Sequence, residues 1–135
     1  RIAIAVDFTA GDANLIKSAI SQAHAGTELI LIHVVESVTA SYFQEISDDE
    51  ESRKDKERLE LYAATLSEKG YKVQFVVGYK NRVKEIVRIV NTTEAQLLVM
   101  GAHHHYGWKD YFFGEAIESV RHKVKIPVLI VQQSS

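Results

Sequence analysis

Four short apolar runs mark the chain: Ile2–Val6, Leu29–Val35, Gln96–Met100 and Pro127–Val131. Each is nearly continuous rather than alternating, which is the pattern of a strand buried on both faces of a parallel sheet. A fifth run, Lys72–Val77, alternates in part and is predicted nearer a sheet edge. Helical spacing fills the gaps. Ala13–Ala25 carries Leu15, Ala19, Ile20 and Ala23, with Gly26 as the expected stop. Ser52–Lys69 carries Leu59, Tyr62, Ala63 and Leu66 and ends at Gly70. Arg82–Asn91 carries Val83, Ile86, Val87 and Val90, and Glu115–Lys123 leads from Ile117 and Val120 to Val124. Strands alternating with helices predict βαβ units and right-handed crossovers. The fold class is therefore α/β: a five-stranded parallel sheet in a doubly wound, Rossmann-like α/β/α sandwich.

Residues 36–52 break this rhythm as a long connection. Asp48–Glu51 are four consecutive acids, read as a solvated helix start at the positive end of its dipole; a cation- or partner-binding loop is the alternative.

Composition narrows the classes. A chain of 135 residues with 25% charged residues is one folded domain, 1–135, with room for a core. A net charge of −2 gives no electrostatic footprint for nucleic acid or an anionic membrane. The absence of cysteine excludes disulfides, thiolate metal sites and cysteine nucleophiles, and fits a reducing, cytoplasmic compartment. No apolar stretch is long enough to span a bilayer and no signal peptide is visible. The start at Arg1, directly on a strand and without Met, suggests a domain excised from a longer protein, although tag removal would look the same.

In an open parallel sheet, ligands sit beyond the carboxyl ends of the strands, where strand order switches. The residues there are Asp7, Phe8 and Thr9; Val34, Val35 and Glu36; Gly78; and the stretch Gly101–Gly107. The last joins glycines to a helix expected to start near Gly114. Such backbone amides can hold phosphate oxygens, but the spacing is neither a P-loop nor a dinucleotide fingerprint.

These residues resemble the universal stress protein family. The matching segments are Ile4-Ala5-Val6-Asp7, Leu31-Ile32-His33-Val34-Val35, Gly78, Leu98-Val99-Met100-Gly101, then Gly107, Gly114 and Ile126–Val131. The resemblance covers almost the whole chain. It implies the adenine nucleotide alpha hydrolase-like form of the sandwich, and homodimers through the last strand, at Val128 and Ile130. It also implies ATP or another adenine nucleotide as cofactor in many members. ATP-binding members carry Gly, two residues, Gly, nine residues, then Gly and Ser or Thr. Here Gly101 and Gly114 fit that pattern, whereas His104 and Glu115 depart from it. His104 brings a ring where a glycine lets phosphate approach, and Glu115 an acceptor-only carboxylate where a hydroxyl would donate. Like charges ~4 Å apart cost ~1 kcal/mol in water and ~4 kcal/mol near a protein surface. Set at a helix start, Glu115 would also satisfy the dipole itself, in the place of a phosphate. The nucleoside half keeps Asp7, Val34, Met100 and Gly101, with Phe8 expected to narrow it. Thr9, His103, Gly107 and Ala116 complete the expected nucleotide-binding set.

His103, His104 and His105 form the other candidate site, for a divalent metal. Consecutive residues diverge, so an exposed polar loop is the simpler reading and a pH-sensitive switch a third. His33, inside a strand, is read as a hydrogen-bonded core histidine, and His24 and His122 as neighbours of helix C-termini. Tyr106, Trp108, Tyr111, Phe112 and Phe113 are read as core packing or a docking surface. No serine sits on a glycine elbow beside a histidine. The expected function is thus a non-enzymatic regulatory or sensor domain. It would be a cytoplasmic module of a larger protein, such as a metal-ion membrane transporter of the Nramp type. The alternatives are a stand-alone ATP-binding stress protein with slow ATPase activity, and a dimerisation or scaffold module.

Overall fold

The computed structural model describes residues 1–35, 46–103 and 108–133. Its elements are β1 (Ile2–Ala5), α1 (Asp12–Ile20), β2 (Glu28–Val35), α2 (Ile46–Glu68), β3 (Lys72–Tyr79), α3 (Arg82–Thr92), β4 (Leu97–His103), α4 (Trp108–Lys123) and β5 (Val128–Gln133). All pairings are parallel, in the order β3-β2-β1-β4-β5. The expected doubly wound sandwich is the observed one.

The continuous apolar runs arise because each inner strand feeds two cores. Ala3, Ile30, Ile32, Val34, Leu98 and Met100 pack with Ile86, Ile89 and Val90 of α3 and Val120 of α4. Ile2, Ile4, Leu29, Leu31 and Val99 pack with Leu15 and Ala19 of α1 and Leu59 and Leu66 of α2. Each fully buried aliphatic side chain is worth roughly 1.5–3 kcal/mol over exposure. Where only one face is covered the pattern alternates: on the edge strand β3, Lys72 and Gln74 are exposed while Val73 and Phe75 are half-buried.

Five boundaries differ from expectation by several residues or move a glycine into an element. Helix α1 stops at Ile20 rather than Ala25. The Ser21 hydroxyl bonds back to Ser18 O at 2.6 Å, and the His24 N–H donates to Thr27 Oγ1 at 2.8 Å, so local side chains take over the helical partners. Gly26 belongs instead to the His24–Thr27 turn, closed by Thr27 N–H to His24 O at 3.0 Å. Helix α2 begins at Ile46, six residues before Ser52, so Asp48–Glu51 fall in its opening turns. Helix α4 begins at Trp108 rather than near Gly114: no proline lies in 108–114, and a single glycine is tolerated inside a helix. Strands β3 and β4 run on to Tyr79 and His103, which places Gly78 and Gly101 within strands.

The end of α2 is as expected. Gly70 adopts φ +98°, and the Tyr71 N–H reaches Leu66 O at 3.2 Å, a left-handed helix stop. Gly78 serves close approach instead: a Cβ there would lie 2.8 Å from Glu85 Cβ and 3.3 Å from Val34 Cγ2. Gly78→Ala is expected to destabilise the domain by about 1–3 kcal/mol through overpacking. A thermal melt lowered by several degrees would show it; an unchanged melt would mean that α3 shifts freely. Among the described residues, no helix is long and apolar enough to cross a membrane.

Candidate functional site

Strands β1 and β4 are neighbours, but their chains leave in opposite directions, β1 toward β2 and β4 toward β5. At this switch point Asp7, Val34, Met100 and Gly101 line one cleft. Its apolar wall comes from Ala5, Ile32, Val34, Met100 and Ile86; its polar side chains are Asp7, His33 and Arg82. Arg82 is the first residue of α3, held by the Asn81 cap, whose Oδ1 accepts from Lys84 N–H at 3.0 Å. Glu85 adds a second anchor by accepting from the Tyr79 N–H at 2.9 Å. Gly78 lets this first turn of α3 lie against β2.

Asp7 is fixed by its own turn. Its Oδ1 accepts from Thr9 N–H at 3.2 Å and from Thr9 Oγ1 at 2.7 Å. Behind it sits Asp12, the first residue of α1 and only 3% exposed. Asp12 Oδ2 accepts from the Phe8 N–H at 2.8 Å and the Tyr62 hydroxyl at 2.9 Å, and its Oδ1 from the Asp7 N–H at 3.3 Å. Burial first, and the nearby Asp7 charge second, push the Asp12 carboxyl up to about 6. Burial and the same carboxylate push the Tyr62 phenol up.

Phe8 takes φ +61°, a left-handed conformation that bulky residues rarely adopt. Its ring packs on His33 at 4.2 Å between centroids, meets Tyr62 edge-on at 5.6 Å and lies under Arg58 at 5.4 Å. It is not among the cleft's lining residues, so the expected narrowing by Phe8 gives way to packing against α2. His33 is hydrogen-bonded inside β2, as expected. Its Nδ1 meets Val6 O at 2.9 Å and its Nε2 meets Asp55 Oδ2 at 3.2 Å. A carbonyl only accepts, so Nδ1 donates a hydrogen in its contact with Val6.

The expected nucleoside half is thus brought together, with Thr9 beside it as the residue that holds Asp7. The phosphate half is not assembled in the expected way. Glu115 is exposed and lies about two turns inside α4, and Ala116 is buried on that helix. Gly114 is likewise helical rather than a loop residue. A helix dipole acts within its first turn, so Glu115 does not occupy a phosphate's place at a helix start. The His103 backbone ends β4, opposite Gln133. Its side chain, together with His104, His105 and Gly107, lies outside the described residues. Among the described residues no three His, Asp or Glu side chains are grouped to hold a metal ion.

Two site residues were not singled out from sequence. Arg82 follows Asn81, a helix-capping residue type just past a strand, and that signal could have placed it at the ligand edge. Asp12 looks like any acid in a first helical turn; its partners, the Asp7 and Phe8 amides and the Tyr62 hydroxyl of α2, come together only in the fold.

Comparison with known proteins agrees with this architecture. A search of curated proteins found no match. Among solved structures, hypothetical protein MJ0577 superposes with a TM-score of 0.83 at 24% identity, covering 98% of this chain and 94% of that one. The universal stress protein from Archaeoglobus fulgidus in complex with dAMP gives 0.71 at 19%, covering 96% and 95%. A universal stress protein in complex with cAMP gives 0.60 at 17%, covering 96% and 94%. At these identities the likeness establishes the fold. The family profile described as "Universal stress protein family" matches residues 1–132, so the chain belongs to the universal stress protein family.

Proposed function

We propose that the cleft between β1, β2 and β4 binds an adenine nucleotide, chiefly through its nucleoside, and that the domain is regulatory rather than catalytic. The observation that carries this reading is the convergence of Asp7, Val34, Met100 and Gly101 at the switch point. Val34 and Met100 offer an apolar surface to a flat base, and the Asp7 carboxylate offers an acceptor to ribose hydroxyls. The relatives solved with dAMP and cAMP support the ligand class. Among the described residues that line the cleft, Arg82 brings a guanidinium, suited to a single phosphate. The departure at His104 from the family's phosphate pattern argues against tight triphosphate binding.

Calorimetric titration with adenosine, AMP and ATP tests the reading. Adenosine and AMP should bind, with ATP no tighter than AMP; no binding of any of the three would overturn it. Arg82→Gln should weaken AMP roughly tenfold or more, the worth of a charge-assisted hydrogen bond, and leave adenosine unchanged. Equal losses for both ligands would show that Arg82 shapes the cleft rather than reading phosphate.

A second reading concerns assembly. β5 is an edge strand whose apolar run Val128–Val131 is half-buried. Because Pro127 O accepts from Leu98 N–H, alternation along the strand turns the backbone groups of Val128 and Ile130 away from β4. We propose that a second copy of the chain covers this edge.

A further inference from the structure

We infer that Asp12 is a positioning residue for the cleft, holding Asp7 in place through the turn that joins β1 to α1. The inference rests on the nucleoside reading above and adds a residue that does not line the cleft.

A carboxylate buried to 3% exposure is costly unless its oxygens are satisfied. Asp12 has three donors from two directions: the amides of Asp7 and Phe8, and the hydroxyl of Tyr62 on α2. The first two belong to the turn that carries Asp7. That turn is strained, because Phe8 is left-handed, and such strain persists only where the surroundings over-determine it. Here the Phe8 amide is gripped by Asp12 and its ring is clamped by His33 and Tyr62. The Asp7 carboxylate is meanwhile held from the other side by Thr9. Asp12 is therefore the point at which α1 and α2 together fix the acid of the cleft.

The arrangement carries a pH signature. The charged and titratable groups around Asp12 are Asp7 on the turn and Tyr62 and Arg58 on α2, with the His33–Asp55 pair beyond Phe8. A ligand hydroxyl that donates to Asp7 relieves its repulsion of Asp12 and so favours the ionised form of Asp12. By linkage, ligand affinity should fall as pH drops through the Asp12 titration near 6. The stability term has the opposite sense. A carboxyl raised in the folded state contributes stability at low pH that is lost as pH rises from about 4 through about 6.

The test uses adenosine, which has no phosphate to titrate, against the wild type, Asp12→Asn and Tyr62→Phe between about pH 5 and 7.5. Wild-type affinity should drop about fivefold toward pH 5, while Asp12→Asn should bind about fivefold more weakly at pH 7.5 and show a flat profile. The melting temperature of Asp12→Asn relative to wild type should rise with pH across the same interval. Amide resonances of Asp7 and Phe8 in the free protein should titrate near pH 6 in wild type, at higher pH in Tyr62→Phe, which loses a donor to the carboxylate, and not at all in Asp12→Asn. Wild-type affinity and pH profile in Asp12→Asn would overturn the inference, as would Asp7 and Phe8 amides that do not titrate. If adenosine fails to bind while those amides titrate, the nucleoside reading falls and the grip of Asp12 on Asp7 stands.

Discussion

Asp7→Ala is expected to weaken adenosine binding by roughly ten- to a hundredfold, with little change in melting temperature. Asp7 is the one acid that lines the cleft among the described residues. A hydrogen bond to a charged group contributes about 1.5–3 kcal/mol, which sets that range. The substitution leaves the core intact, because Asp7 is only half-buried and its Oδ1 bonds are to Thr9 of the same turn. It also removes the charge that helps raise the Asp12 carboxyl, so the Asp12 titration should move down. Calorimetry and a pH titration of the Phe8 amide check both parts. Unchanged affinity for adenosine would remove Asp7 from the ligand site.

The second large effect is on assembly. Ile130→Pro removes a backbone donor that faces away from β4, and proline is tolerated on sheet edges. If two copies pair along β5, a two-fold axis makes the substitution act twice. Two buried acceptors then lose their partner, at about 1–3 kcal/mol each, which weakens the dimer at least thirtyfold. Light scattering should show the wild type at twice the chain mass and the variant at the chain mass, with circular dichroism unchanged. A wild type that is monomeric, or a variant that stays dimeric, would rule out pairing through these groups.

The inner strands were legible because their signal is local and doubled. Leu29–Val35 is apolar at every position but His33, as burial against two helix layers requires. The edge position of β3 was legible too, from exposed Lys72 and Gln74. Helix ends were less so. Nothing in the apolar pattern of Ala13–Ala25 shows that Ser21 and Thr27 will capture backbone partners, and Gly114 reads as a loop residue although the helix passes through it. The same division holds at the site. Asp7, Val34, Met100 and Gly101 lie at or beside strand ends and were named through the family resemblance, and the fold brings them to one cleft. Arg82 reaches the cleft from α3, which Gly78 leaves room for, and Asp12 takes one of its donors from Tyr62, fifty residues on. Such roles are set by contacts between elements, which a linear pattern does not encode.

The proposed adenine site lies between β1, β2 and β4. Adding AMP to isotope-labelled protein and following amide chemical shifts tests it most directly. Saturable shifts are expected at Asp7, Val34, Met100, Gly101 and Arg82, with α2's exposed face silent. Shifts confined to other surfaces, or none at millimolar AMP, would contradict it.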